Sequence, residues 1–371
     1  MSKKYENFIY PEEIRKYEQD LLDFIVESGK NKRRSDIESH ILGYFLIHQS
    51  LTQKEIQILS TEFRSRSISS GSISNFLNQY TSYEPKIILK EKIPDSKHKF
   101  RYHIISGNIK EMFAVGKEAG VNVLFEMIRK IKVLIRILEE LNPNEKDIKL
   151  YNIILERTKE LLAYLEYHLS LFDDFMESVV GQEYSIKKGT RIQKTDSKLN
   201  SKNRNLKAIE RELINLILNS ELFIIEEIKY HPIIAYLITR KSLTQLELKK
   251  LTGLSAGLIS EGLNYLNEQG YIKIKKVQGE RQRRYILESV GYFNFLKFYK
   301  RFKNIAHNKY KLVRILDELI KKKDKLGEID GYNIIKKRVE EFLDQFNVID
   351  FGIKIFQKAL EDFKKVNDKN L

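Results

Sequence analysis

Three features of the sequence predict a mainly α fold of two tandem units, each a set of short helices closed by a small β-wing and followed by a long antiparallel helical hairpin. Apolar residues recur at helical spacing along most of the 371 residues, which contain only five prolines. Residues 231–287 run helix, helix, turn, helix, hairpin. The same run of signals occurs a second time upstream, at a nearly constant offset.

Within 231–287 each element has a local cause. His231-Pro232 opens an apolar helix carrying Ile233, Ile234, Tyr236, Leu237 and Ile238, and proline is pre-set for a first helical position. Thr244-Gln245-Leu246-Glu247 has the Thr-x-x-Glu spacing of a capping box, in which hydroxyl and carboxylate each satisfy an orphan amide. The helix so begun turns Leu248 and Leu251 inward and stops at Gly253. Ser255 caps a third helix with Ile259, Leu263 and Leu266 on one face, and Gly270 ends it. The period then changes to two in Tyr271-Ile272-Lys273-Ile274-Lys275, as in a half-buried strand, and the basic turn region 278–284 leads to a return strand at 285–287. This is the order of a winged helix-turn-helix. Its third helix ordinarily enters a major groove while hairpin cations touch the backbone or the minor groove.

The upstream copy is read from matching segments. Ser50-Leu51-Thr52-Gln53-Lys54-Glu55 matches Ser242-Leu243-Thr244-Gln245-Leu246-Glu247, and Ser70-Gly71-Ser72-Ile73-Ser74 matches Ala256-Gly257-Leu258-Ile259-Ser260. Between these segments the first copy carries extra residues around 63–67. Phe100-Arg101-Tyr102 sits where Arg283-Arg284-Tyr285 does, and the match continues into the hairpins, where 136–141 resembles 314–319 and Tyr151-Asn152-Ile153-Ile154 resembles Tyr332-Asn333-Ile334-Ile335. One unit therefore spans 1–180 and the other 206–371, joined by the Lys-, Ser- and Asn-rich stretch 181–205, which reads as a flexible linker.

In chain order, 11–29 is an amphipathic leading helix, repeated at 206–223, and the basic run 30–34 joins it to the first winged helix, 35–105. The recognition-helix candidate 69–80 presents Ser69, Ser70, Ser72, Asn75 and Gln79 away from Ile73, Phe76 and Leu77. Asparagine and glutamine can pair with adenine edges and serine hydroxyls with phosphates or bases, although a polar face is also what any exposed helix needs. In the first wing Lys97, Lys99 and Arg101 are the candidate phosphate contacts. The second copy offers Thr244, Ser255, Ala256, Gly257, Ser260 and Asn264 around the helix-turn-helix and Arg281, Arg283 and Arg284 on the wing. Neither third helix carries arginine or lysine, the usual readers of guanine. Helical hairpins follow at 109–141 with 146–180 and at 289–323 with 330–365; each reads as core packing, pairing with another hairpin.

The formal net charge is +15, which favours a polyanionic partner, although a Lys-, Ile- and Asn-rich composition of the kind an AT-rich genome produces would raise the lysine count by itself. Position decides between the two: residues 86–103 hold six Lys or Arg against two acids, and 271–287 six against one. The charge lies on the wings. Cysteine is absent, so no disulfide, thiolate metal site or cysteine nucleophile is available. The first residues lack the apolar core of a signal peptide, and no apolar run is long enough to span a bilayer, so a cytoplasmic protein is expected.

Ser255-Ala256-Gly257-Leu258-Ile259-Ser260 with Leu263, Leu266 and Gly270-Tyr271-Ile272, in a winged helix flanked by long helices, resembles the GbsR-like branch of the MarR transcriptional regulators. Ser70-Gly71-Ser72-Ile73-Ser74 is similar, but the first copy lacks the glycine before the strand. The resemblance implies a regulator of transcription that binds double-stranded DNA. Family members are usually one unit per chain and work as homodimers on near-palindromic operators, and some respond to small ligands. Two units in one chain then imply a covalent pseudo-dimer, or a homodimer through helical hairpins, and unlike copies imply an asymmetric operator.

Enzyme chemistry is not expected. The seven histidines are scattered without metal-ligand spacing, no glycine-rich phosphate loop follows a strand, and carboxylates lie on helix faces with Lys or Arg three or four positions away; no cofactor is called for. The aromatic cluster Tyr292, Phe293, Phe295, Phe298 and Tyr299 reads either as a cage for a cationic ligand or as the seam between winged helix and hairpin. Two other functional readings stay open: a protein adaptor or architectural chromosome-associated protein without sequence-specific readout, favoured by Glu261 on the third helix, and one DNA-binding copy beside one scaffold copy.

Overall fold

The computed structural model describes residues 9–29, 35–64, 67–82, 88–94, 99–104, 109–180, 205–277, 279 and 282–368. The chain is mainly helical, with two small three-stranded sheets, and forms two compact units. Unit 1 comprises 1–120 and 302–350; unit 2 comprises 121–301 and 351–371. The compact units of structure thus differ from the contiguous stretches 1–180 and 206–371 that the sequence repeat marks out.

Unit 1 begins with α1 (Glu12–Gly29), which buries Ile14, Tyr17, Leu21, Leu22 and Ile25 and packs on α2 (Asp36–His48). The approach is close, since a Cβ at Gly43 would stand 2.5 Å from Leu22 Cδ1. A three-residue strand, β1 (Ser50–Thr52), leads into α3 (Gln53–Phe63), whose start is the Thr52/Glu55 capping box. Then come α4 (Ser70–Ser82), β2 (Ile88–Lys92) and β3 (Phe100–Ile104), with sheet order β1-β3-β2 and Tyr102 paired with both Leu51 and Lys90.

Unit 2 has the same order of elements. It runs through α7 (Leu206–Asn219), capped by Asn205, then α8 (His231–Arg240), β4 (Ser242–Thr244), α9 (Gln245–Thr252), α10 (Ala256–Glu268), β5 (Lys273–Lys276) and β6 (Arg283–Ile286). Sheet order is β4-β6-β5, with Tyr285 paired with both Leu243 and Ile274. The Thr244/Glu247 capping box starts α9, Gly253 ends it at φ 71° where a left-handed residue closes a helix, and Ser255 caps α10.

Long helices complete both units: α5 (Ile109–Glu140), α6 (Ile148–Val180), α11 (Val290–His307), α12 (Lys309–Lys321), α13 (Lys323–Leu326) and α14 (Tyr332–Asp368). The hairpin α5/α6 and the hairpin α12/α14 are each tied by a tyrosine hydroxyl, Tyr151 to the Leu138 carbonyl and Tyr332 to the Leu319 carbonyl, both 3.1 Å. In unit 2, α6 packs on α8, so the first hairpin covers the helices that follow it in sequence. In unit 1, α12 packs on α1, and Phe24 meets Phe342 and Phe346 of α14, so the second hairpin covers the first set of short helices.

Three expectations are adjusted. The arm expected at 289–323 is divided into α11 and α12 by a turn at Asn308. The strand expected from 271 starts at Lys273, because Tyr271 and Ile272 turn into the core. Each sheet has a third strand, β1 or β4, where the sequence suggested only a loop before the capping box. The basic run 30–34 and most of the linker 181–205 lie outside the described residues. Among the described residues no helix is long and apolar enough to cross a membrane, and no trio of His, Asp or Glu is placed to hold a metal.

Candidate nucleic-acid interface

The third helix of unit 2, α10, is held from beneath by Ile259, Gly262, Leu263 and Leu266, all buried. A Cβ at Gly262 would meet Ile233 Cδ1 at 2.6 Å and Tyr230 Cδ1 at 2.7 Å, so only glycine allows α8 and α10 to cross this closely. That packing turns Ala256, Gly257, Ser260, Glu261 and Asn264 outward. Glu261 is not a bare anion: Lys229 Nζ donates to it at 2.9 Å, and this bond holds its carboxyl below the usual range. Beside it the Tyr265 hydroxyl donates to Glu226 at 2.6 Å; burial, then that bond and the carboxylate charge, raise its pKa.

The wing follows α10 in the chain. Lys273, Lys275 and Lys276 on β5 and Arg283 on β6 are exposed, and Lys273 pairs with Glu288 at 2.6 Å. In an antiparallel pair directly opposed residues share a face, so Lys276 stands with Arg283, and Lys275 with Arg284. Arg284 is half-buried and 3.6 Å from Glu247, the carboxylate that also accepts from the Thr244 amide. It braces the wing on the start of α9 as well as adding charge.

The α4 face in unit 1 follows the same plan. Ser69, Ser70, Asn75 and Gln79 are exposed and Ser72 is half-buried. Arg101 reaches Glu55 at 3.1 Å, as Arg284 reaches Glu247. Gln53 Nε2 donates to the Ser70 carbonyl at 2.9 Å and Gln245 Nε2 to the Ala256 carbonyl at 3.3 Å. The wing differs: Glu91, 3.0 Å from the His103 ring, opposes Arg101, whereas Lys275 opposes Arg284. Lys90 lies over the Phe100 ring at 4.0 Å, and Lys92 and Lys99 are exposed.

Several candidates have local duties that change their role. Thr244 is buried, and its hydroxyl accepts from the Glu247 amide at 3.2 Å, so it shapes a helix start instead of facing a ligand. Ser69 accepts from the Ser72 amide at 3.1 Å and Ser255 from the Leu258 amide at 3.2 Å; both hydroxyls cap helices. The Ser70 hydroxyl accepts from Gln53 at 2.8 Å, and that of Ser72 is 2.9 Å from Ser69 Oγ. Ala256, Gly257, Ser260, Asn264 and Arg283 are exposed, while Lys97 and Arg281 lie outside the described residues. The sequence pattern did not single out Lys275 and Lys276, nor Asn78, which the repeat offset places level with Asn264.

The aromatic cluster is a seam, and its cation belongs to the chain. Phe293 and Phe295 are buried, and Phe295 lies against Tyr164, Tyr167 and His168 of α6. Lys297 Nζ stands 4.9 Å from the Phe298 centroid and 5.6 Å from that of Phe293, and donates to the Leu222 carbonyl and, at 3.2 Å, to Asn294.

Residues 232–302, the stretch from α8 through the wing to α11, match the winged helix DNA-binding domain family. No curated protein matches the chain. The matched stretch contains both the exposed face of α10 and the basic wing, and a domain of this type suggests DNA binding.

Proposed function

We propose that the chain is a DNA-binding transcriptional regulator and a covalent pseudo-dimer of two winged-helix units of the GbsR/MarR kind. The observation that carries the DNA reading is the presence, within one matched region, of an outward polar face on α10 and exposed Lys275, Lys276 and Arg283 on the wing. Cations on a hairpin fix register on phosphates while the adjoining helix meets base edges. Duplication is supported by relations that recur at one offset or nearly so: the capping boxes, the Gln53 and Gln245 bonds, the Arg101–Glu55 and Arg284–Glu247 pairs, and sheets of identical strand order. The pseudo-dimer reading rests on the helical hairpins, each of which packs with the short helices of the other half of the sequence, as arms exchanged between two protomers would.

Electrophoretic mobility of the full chain on its own upstream DNA and on scrambled duplex, across a salt series, tests the proposal. A complex on the native sequence that survives salt dissolving the scrambled one is the expected result, since the phosphate contribution is sequence-independent and falls steeply with salt. Equal binding to both at every salt contradicts specific regulation.

A second reading, the protein adaptor, is favoured by one observation: the exposed faces of α4 and α10 carry no arginine or lysine, and α10 carries Glu261 and Glu268. Absence of any duplex binding at physiological salt, with a protein partner captured through the α10 face, decides for it.

A further inference from the structure

The two third helices, α4 and α10, are both 13 residues long and align without a gap at an offset of 186. Five positions are identical: Gly71 and Gly257, Ile73 and Ile259, Ser74 and Ser260, Leu77 and Leu263, Asn78 and Asn264. The isoleucines and leucines are explained from inside, because all four are buried in the cores beneath. The other three positions are not. Both glycines, both asparagines and Ser260 are exposed, Ser74 is half-buried, and none of the serine or asparagine side chains has a hydrogen-bond partner among the described residues. At about 100° per residue, positions i, i+3 and i+7 fall within roughly 60° of arc, so glycine, serine and asparagine form one stripe along each helix.

The glycines are the telling part. Glycine is a weaker helix former than alanine and is retained where a side chain would be in the way. Among the described residues nothing is in the way: a Cβ at Gly257 has no neighbour within 4 Å, and at Gly71 only the Ser69 hydroxyl, at 4.0 Å. Gly262, one turn further on, has such a reason in Ile233 and Tyr230. Among the described residues the space beside Gly71 and Gly257 is open, and a ligand can approach the helix backbone there. Asparagine two turns along the same stripe offers one acceptor and one donor, the complement of the adenine N6 and N7 edge in a major groove.

We propose that Gly71–Ser74–Asn78 and Gly257–Ser260–Asn264 are paired base-reading stripes, each seating its helix against a duplex at the glycine and reading an adenine with the asparagine. The inference rests on the DNA-binding reading above and adds the base class and the residues. Both half-sites then carry an A·T pair at the same register, while the unlike flanks, Asn75 against Glu261 and Thr81 against Asn267, set what differs between them.

The full chain is used to select duplexes from a library with a randomised centre, and binding to the selected duplex is measured with each adenine replaced by 7-deaza-adenine or its pair by G·C. The wild type is expected to lose about 5- to 150-fold at one A·T pair in each half-site, the range for one bidentate contact. Asn264→Ala removes the penalty in one half-site, Asn78→Ala in the other, and neither changes binding to scrambled duplex. Gly257→Ala separates a ligand role from a structural one, since it leaves the thermal midpoint unchanged or raised yet weakens binding to the selected duplex. A wild type that discriminates, with an N78A/N264A chain that keeps the same adenine dependence, overturns the stripes and leaves DNA binding standing. A wild type that binds every duplex alike overturns the stripes and leaves an architectural binder. One that binds none overturns the DNA reading and the stripes with it.

Discussion

Arg157 Nε donates to the carbonyl oxygen of Ile238 at 2.8 Å, from a side chain only 1% exposed. Arg157 lies on α6, and Ile238 in the last turn of α8, where helix carbonyls have no partner of their own. Its Nη1 donates to the Glu288 carbonyl at 3.2 Å and to Glu160, whose second oxygen accepts from the Val290 amide at 2.7 Å. One ion pair thus joins the first hairpin, the end of α8, the exit of the wing and the start of α11. Burial lowers the Arg157 pKa from its ordinary value, while Glu160 and Glu156 oppose that.

Removing one partner of a fully buried pair costs about 3–5 kcal/mol, which is an upper limit here because Glu160 is partly exposed. Arg157→Ala is expected to lower the stability of unit 2 by that order, read as the midpoint shift of its denaturant transition. A change within about 1 kcal/mol, the scale of a surface pair, would show that the junction is held by packing alone.

Unit 2 also carries a pH dependence of definite sign. Burial, with Arg301 adding to it, lowers the Lys297 pKa to about 7; burial, with Lys297 adding to it, lowers that of His168 to about 3. Both shifts are downward, so the unfolded chain binds more protons in each window, between about 7 and 10.5 for the lysine and between about 3 and 6.5 for the histidine. Their contribution to stability is complete above the upper limit of each window and is lost as pH falls through it. The thermal midpoint of unit 2 is expected to rise from pH 7 to about pH 9, and Lys297→Met to flatten that rise. A wild-type midpoint indifferent to pH in this range would contradict a buried lysine.

How much of this was legible in the sequence follows from what each feature depends on. Thr244 with Glu247, Ser255 and Gly253 stand at the helix ends their local chemistry indicated, because a cap needs only neighbours in sequence. β1 and β4 are three residues each, too short to leave a period, and exist because Leu51 and Leu243 pair with Tyr102 and Tyr285 far along the chain. The periodicity of α6 and α14 marked an apolar face on each without saying what covers it. Thr244 and Ser69 were candidate site residues by residue type, but their hydroxyls are taken up by the Glu247 and Ser72 amides.

Position 48 sets unit 1 apart. Glu18 and Glu210 are both buried and stand at the same offset as His48 and Arg240. Arg240 grips Glu210 with two bonds of 2.6 and 2.7 Å; His48 Nε2 reaches Glu18 Oε1 at 2.6 Å, and Glu18 Oε2 has no partner among the described residues. His48 also stacks on Tyr10, whose ring lies against Gly331 (φ 90°), so this contact ties α1 and α2 to the turn before α14. Arginine offers a carboxylate a two-pronged grip where one histidine nitrogen does not. His48→Arg is expected to slow amide exchange across α1 and α2, because a guanidinium can engage both oxygens of Glu18. Faster exchange in the variant would mean that the Tyr10 stack, and not the carboxylate, decides the residue at 48.

The wing supplies a contrast between two neighbouring arginines. Arg283 is exposed beside Lys276, whereas Arg284 is half-buried and within ion-pair distance of Glu247. A cation already near a carboxylate adds less to phosphate binding than one in open solvent, since much of its field is spent in the protein. Replacing Lys275, Lys276 and Arg283 with alanine is expected to weaken binding to all duplexes alike and to reduce the salt slope by about 0.9 for each phosphate no longer neutralised. Arg284→Ala alone should move the slope less and the thermal midpoint more, because it unpins β6 from the start of α9. An Arg284→Ala slope change as large as that of Arg283→Ala would reverse these roles and make the Glu247 ion pair incidental to the DNA surface.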